Sequence, residues 1–134
     1  MALTTDDKVE IQGLAARYNH AIDSGDSEGF TAVFTEDGAL SAGELQVKGH
    51  DALGDFAKKF AGSVREPRHI AHNIVVDGDG DKATLKAYIQ MFILTGDAGQ
   101  PGQQVVATSG KYNDTLVKEN GSWKFTQRVF TADS

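Results

Sequence analysis

HIAHNIVV, DGDGD and KATLKAYIQMFIL, residues 69–76, 77–81 and 82–94, read as strand, turn and strand. Side chains on a strand alternate between two faces, so a period of two in Val, Ile, Thr, Tyr and Phe marks a sheet. The same pattern returns in residues 105–117 and 122–130. Breaks fall at Asp77 to Asp81, at Gly96 to Gly102 and at Glu119-Asn120-Gly121. Asn120-Gly121 is a strong two-residue hairpin signal, since both central residues of that turn take positive φ. The second half is therefore expected to form an antiparallel meander.

Upstream of residue 69 the period is helical. Ile11, Leu14, Ala15, Tyr18, Ala21 and Ile22 recur at spacings of three and four, which predicts an amphipathic helix from about Thr5 to Ile22. Thr4 or Thr5 caps it ahead of Asp6, Asp7 and Glu10, and Ser24-Gly25-Asp26 breaks it. Asp26 caps a second, short helix holding Phe30, Val33 and Phe34, expected to stop at Glu36-Asp37-Gly38. Ala39 to Val47 is expected as a strand or hairpin turning near Ala42-Gly43. Gly49-His50-Asp51 then opens a third helix with Leu53, Phe56, Ala57 and Phe60 on its buried side, ended by Gly62 and kept from resuming by Pro67. Helices first and strands afterwards give an α+β class, with the helices on one face of a curved sheet.

A chain of 134 residues suits one domain, residues 1–134, with a single core. The formal net charge of -6 and the scattered Lys and Arg argue against a nucleic-acid partner. The absence of cysteine removes disulfides, thiolate metal sites and cysteine nucleophiles. No run approaches the roughly 20 apolar residues that span a bilayer, and the acidic start lacks a signal-peptide pattern. No membrane partner and a cytoplasmic location are the expectations.

The run Asp77-Gly78-Asp79-Gly80-Asp81 has alternating carboxylates, but the later Glu and flanking helices of a calcium loop are missing. A solvated hairpin turn explains it, and no metal or other cofactor is expected. Gly96 to Gly102 precedes a strand and lacks a Lys-Ser/Thr sequel, so it is not a phosphate loop. On a regular strand His69 and His72 face opposite ways, which argues against a two-histidine metal site. His69, Ala71, Asn73 and Val75 share one face; His72, Ile74 and Val76 share the other.

A carboxylate and an imidazole can form a dyad in which the carboxylate orients the ring and the ring moves a proton. The candidates are Asp23 and His69. Helix periodicity puts Asp23 off the apolar stripe, near Asn19 and Ala16, as a solvated or helix-end carboxylate. A helix end tipped over a pocket mouth would turn it inward. Tyr18, Phe34, Phe56, Tyr88, Phe92 and Tyr112 are enough to line a cavity, and equally fit a core or an interface on the outer sheet face.

The chain resembles the SnoaL-like group of the nuclear-transport-factor-two-like superfamily over nearly its full length. The resemblance lies in Tyr18 through Asp23-Ser24-Gly25-Asp26, Phe34-Thr35-Glu36-Asp37-Gly38, Gly49-His50-Asp51-Ala52-Leu53 and Arg68-His69 with Asn73. It continues in Gly110-Lys111-Tyr112-Asn113-Asp114, Gly121-Ser122-Trp123-Lys124-Phe125 and Arg128. It implies a cone-shaped barrel: a strongly curved, mostly antiparallel sheet whose concave face is filled by about three N-terminal helices around a deep apolar pocket. It also implies homodimers paired through the outer sheet face.

Asp23 and His69 are similar to the Asp–His pair of the scytalone dehydratase-like and dehydrochlorinase-like members. That likeness implies that His69 takes a proton from substrate carbon while Asp23 orients it. It further implies a small apolar or aromatic ligand, with Tyr18, Phe34, Phe56, Asn73, Tyr88, Phe92 and Tyr112 around it. Ile22 stands where scytalone dehydratase has a tyrosine. The expected function is a small-molecule lyase or isomerase of dehydratase type. A non-catalytic binding module for a small hydrophobic ligand or a protein is the alternative, and a small-subunit-like partner of a ring-hydroxylating dioxygenase the third reading.

Overall fold

The computed structural model describes all 134 residues. Helix α1 (Thr5–Ser24) starts at a capping box: the Thr4 hydroxyl accepts from the Asp7 N–H, and the Asp7 carboxylate accepts from the Thr4 N–H. It ends at Gly25, whose left-handed φ of 70° closes the last turn against Ala21. A Cβ at Gly25 would lie 2.9 Å from Ala61 Cβ, so glycine is needed for both conformation and packing. The Asp26 carboxylate then caps α2 (Ser27–Ala32) by accepting from the Gly29 N–H.

Strand β1 (Phe34–Ala42) and β2 (Leu45–Lys48) form a hairpin, and α3 (His50–Ser63) follows. The meander is β3 (Arg68–Asp79), β4 (Lys82–Leu94), β5 (Gln104–Glu119) and β6 (Ser122–Ala132). All six strands join one curved, unclosed sheet in the order β2-β1-β6-β5-β4-β3, antiparallel except where β1 lies parallel to β6. The Asn120-Gly121 turn joins β5 to β6 with both φ values positive, as expected. Three helices and a curved sheet bear out the α+β class.

Tyr18, Phe30, Phe34 and Phe125 meet in tilted and edge-on contacts at the centre of the core. At one end of α1 the Trp123 indole N–H and the Lys118 ammonium both donate to Asp7, while Glu10 accepts from the Trp123 N–H. These bonds pin the start of α1 to the β5–β6 hairpin. The indole bond is the largest of the contributions that hold the Asp7 carboxyl well below the usual carboxylate range. No helix is long and apolar enough to cross a membrane.

Two local expectations are corrected. The second helix does not reach Glu36; it ends at Ala32, because Phe125 donates its N–H to Val33 O at 2.8 Å and Phe34 pairs with Phe125 in the sheet. Sheet pairing overrides a helical spacing that only three apolar residues supported. The second correction lies in β3, whose alternation is interrupted. Asn73 takes φ 54°, and the pairing with β4 shifts between His72 and Val75, a β-bulge. Beyond it Ile74 and Val76 become the more buried positions, while Asn73 and Val75 are exposed.

Candidate active site

The bulge and the end of α1 decide what lies near His69. Asp23 stands in the last turn of α1, one turn after Asn19, on the flank of the helix that β3 covers. The His69 backbone N–H reaches both carboxylate oxygens of Asp23, at 3.0 and 3.2 Å. His69 Nδ1 lies 2.6 Å from Asp23 Oδ1. A carboxylate only accepts, so Nδ1 carries the hydrogen and Nε2 keeps a free lone pair in the neutral ring. The two side chains are only 11% and 13% exposed. Asp23 is thus turned inward, against the solvated placement that helix periodicity favours. The reason is tertiary: the first residues of β3 pack over a polar flank that the apolar stripe does not reveal.

His69 faces a cavity of about 160 Å³ bounded by α1, α3 and the concave sheet. Tyr18 and Ile22 come from α1, and Phe56 and Phe60 from successive turns of α3. Leu40, Ala42, Ile89, Met91, Thr108, Tyr112 and Phe130 come from the strands. The His69 ring rests against Phe60 with centroids 5.5 Å apart. On its other side the dyad borders an outer groove between α1 and β3, lined by Asn19, Ser24 and Arg68 among others.

Of the expected lining residues, Tyr18, Phe56 and Tyr112 meet at this cavity with His69. The other four do not line it. Phe34 is a core residue, 1% exposed, packed on Tyr18, Phe30 and Phe125. Asn73 is exposed because the bulge takes it off the face of His69. Tyr88 is 50% exposed, since Ala87 and Ile89 on either side of it are the inward residues of β4. Phe92 follows Met91, which lines the cavity, and so takes the opposite face. Met91, Thr108 and Phe130 were missed; stepping by two from Ile89 and from Tyr112 would have found the first two.

Behind the tyrosines lies a buried ion pair. Arg128 is fully buried and donates through Nε to Asp114 Oδ1 at 3.2 Å. Its guanidinium carbon lies 3.5 Å from the Tyr112 ring centre, 4.3 Å from that of Tyr18 and 4.7 Å from that of Phe125. Burial pushes the Asp114 carboxyl up to about 6 despite the cation beside it. Burial works against the Arg128 charge too, but Asp114 and the two phenols outweigh it and leave its pKa raised. Burial also raises the Tyr18 and Tyr112 phenols, so both keep their hydrogen at neutral pH. The cavity wall thus carries the His69 ring, whose Nε2 has no protein partner, and the Tyr18 and Tyr112 phenols, whose hydroxyls face each other. That set can take a proton from carbon and steady a developing oxyanion. No three His, Asp or Glu side chains converge as a metal-holding group.

A family model described as a SnoaL-like domain matches residues 4–129. Among solved structures, Rv3472 of Mycobacterium tuberculosis, a protein of unknown function, is similar at 32% identity and TM-score 0.89, over 97% of this chain and 78% of that one. A proposed aromatic ring hydroxylase of Novosphingobium aromaticivorans is similar at 26% identity and TM-score 0.83, over 98% and 92% of the two chains. A proposed scytalone dehydratase of the same species has 24% identity and TM-score 0.80, over 96% and 85%, a likeness that speaks to the fold alone. No curated protein matches the chain.

Proposed function

The chain belongs to the SnoaL-like family, and from that premise we propose that it is a small-molecule lyase or isomerase in which His69 is the base and Asp23 its partner. The observation that carries this is the 2.6 Å Asp23–His69 contact, which leaves Nε2 without a protein partner on a residue that lines an apolar cavity. Nε2 takes a proton from a carbon beside a carbonyl. The C–H electron pair forms a carbon–carbon double bond as the carbonyl becomes an enolate, held by the Tyr18 and Tyr112 hydroxyls. In an isomerisation the proton returns to another carbon. In an elimination the enolate expels a leaving group such as hydroxide, which takes the proton from His69 and departs as water. Asp23 holds the ring still and balances its charge while it carries the proton.

The test is α-hydrogen exchange and dehydration of single-ring ketones and β-hydroxyketones in D2O, followed by proton NMR. The reading predicts catalysed exchange or dehydration that is lost in His69→Ala. No reaction across such a panel, or an equal rate in His69→Ala, would sink it.

The dominance of apolar side chains around the cavity favours a second reading, a binding module for a small hydrophobic ligand. Native mass spectrometry should then find a retained molecule, and His69→Ala should not release it. The likeness to a ring hydroxylase supports a third, a small-subunit-like role, which requires co-purification with a large catalytic subunit. Pairing of two copies through the outer sheet face is supported by Ile70, Val75, Tyr88 and Val106, which are 46–54% exposed there. Cytoplasmic residence belongs to the same proposal and suits a chain without cysteine.

A further inference from the structure

His69, Met91 and Thr108 are register partners across three neighbouring strands: His69 pairs with Met91, and Met91 with Thr108. Residues directly opposite on adjacent strands point to the same face. The three therefore form one row across the concave side, and all three line the cavity. Two strand spacings separate the ends of the row, about 10 Å between Cα atoms. Curvature of the sheet brings the side-chain tips closer than that.

Thr108 is the one threonine on the cavity wall. The hydroxyls of Thr4, Thr31, Thr35, Thr95 and Thr115 each engage a protein group. The hydroxyls of Thr5, Thr84, Thr108 and Thr131 engage none, and of these four only Thr108 lines the cavity. Beside it the β4–β5 pairing shifts between Met91 and Phe92, so that Ala107 is the extra residue of a bulge. Bulges next to a site commonly re-aim a side chain. The volume sets the size of what fits: 160 Å³ is close to the roughly 150 Å³ of apolar cavity that admits benzene.

We propose that Thr108 is a specificity-determining residue, hydrogen-bonding an oxygen on the side of a single-ring substrate opposite the carbon that faces His69. This rests on the lyase or isomerase reading for the role of His69, and it narrows the substrate class to monocyclic compounds with oxygen across the ring from the reacting C–H. The row supplies the base at one end and the hydroxyl at the other, with the Met91 side chain as an apolar floor between them. Tyr18 and Tyr112 are left to the oxygen next to the reacting carbon.

Binding can be measured without turnover, which keeps this proposal separable from the reaction. Full-length protein labelled with ¹⁵N is titrated with phenol, benzene and 2-naphthol and followed by amide shifts. Phenol is expected to bind about tenfold more tightly than benzene, as one hydrogen bond supplies, and 2-naphthol to be excluded by size. Thr108→Val should remove the phenol advantage and keep benzene affinity; Thr108→Ser should restore the advantage. Should Thr108→Val fail to fold, Thr108→Ala against Thr108→Ser gives the same comparison. Equal affinity for phenol and benzene in the parent, no saturable binding of either, or an unchanged ratio in the variant would overturn the proposal. A phenol advantage lost in Thr108→Val alongside absent proton exchange would keep this contact and remove the reaction.

Discussion

Replacing Asp23 by asparagine changes one oxygen to an amide and asks the local geometry to do something it cannot. The carboxylate accepts from the His69 ring at 2.6 Å and from the His69 backbone N–H at 3.0 and 3.2 Å. An asparagine has one acceptor and one two-hydrogen donor. If its oxygen takes the backbone N–H, its amide group meets Nδ1, and the ring must move its hydrogen to Nε2. The base is then lost. If its oxygen takes the ring N–H, two donors face each other at about 3 Å and the backbone group is left unpaired, which costs about 1–3 kcal/mol. The first arrangement avoids that penalty, so activity should fall while stability changes little. General-base contributions of 10²–10⁴-fold correspond to about 3–5 kcal/mol of barrier. The assay is the α-hydrogen exchange rate of the best single-ring ketone, with urea unfolding on the same samples. A folded Asp23→Asn protein exchanging within about threefold of the parent would refute the reasoning.

Two further outcomes follow from the charges and the outer face. Asp114 ionises near 3.8 when free and at about 6 in the fold, so the fold keeps a proton the unfolded chain has released, and this group raises stability as pH falls from about 7 towards 4. Asp7 has the opposite sign: its contribution is present above about pH 4 and is lost as pH falls further. Urea unfolding at about pH 7.5, 5 and 3 should peak at the middle value, with Asp114→Asn flattening the upper limb and Asp7→Asn the lower. On the outer face, Tyr88→Lys should shift a dimer to monomer in light scattering without unfolding it, since Tyr88 is half exposed.

The alternating runs, the Asn120-Gly121 turn, the Thr4 and Asp26 caps and the helix-then-strand order are local properties, and the chain displays them openly. What it hides is what one element does to another. Phe34 belongs to a strand only because β6 lies beside it. Asp23 is turned inward, with its side chain 13% exposed, only because β3 crosses the flank of α1. Asn73 leaves the His69 face through a positive φ that no glycine advertises. Asp114 and Arg128 stand among the residues that carry the family resemblance, but their pairing becomes visible only in the fold, where three aromatic rings close around Arg128. His69 was legible as a candidate from its strand; its neighbours on the cavity wall needed the register.

The central claim is that Asp23 fixes the His69 proton on Nδ1 and leaves Nε2 as a free base in the cavity. Long-range ¹⁵N–¹H correlation of the histidine rings at neutral pH reads this directly. In the neutral form of the His69 ring the hydrogen is expected on Nδ1, with a switch to Nε2 in Asp23→Asn. A neutral ring with hydrogen on Nε2 in the parent protein would contradict this.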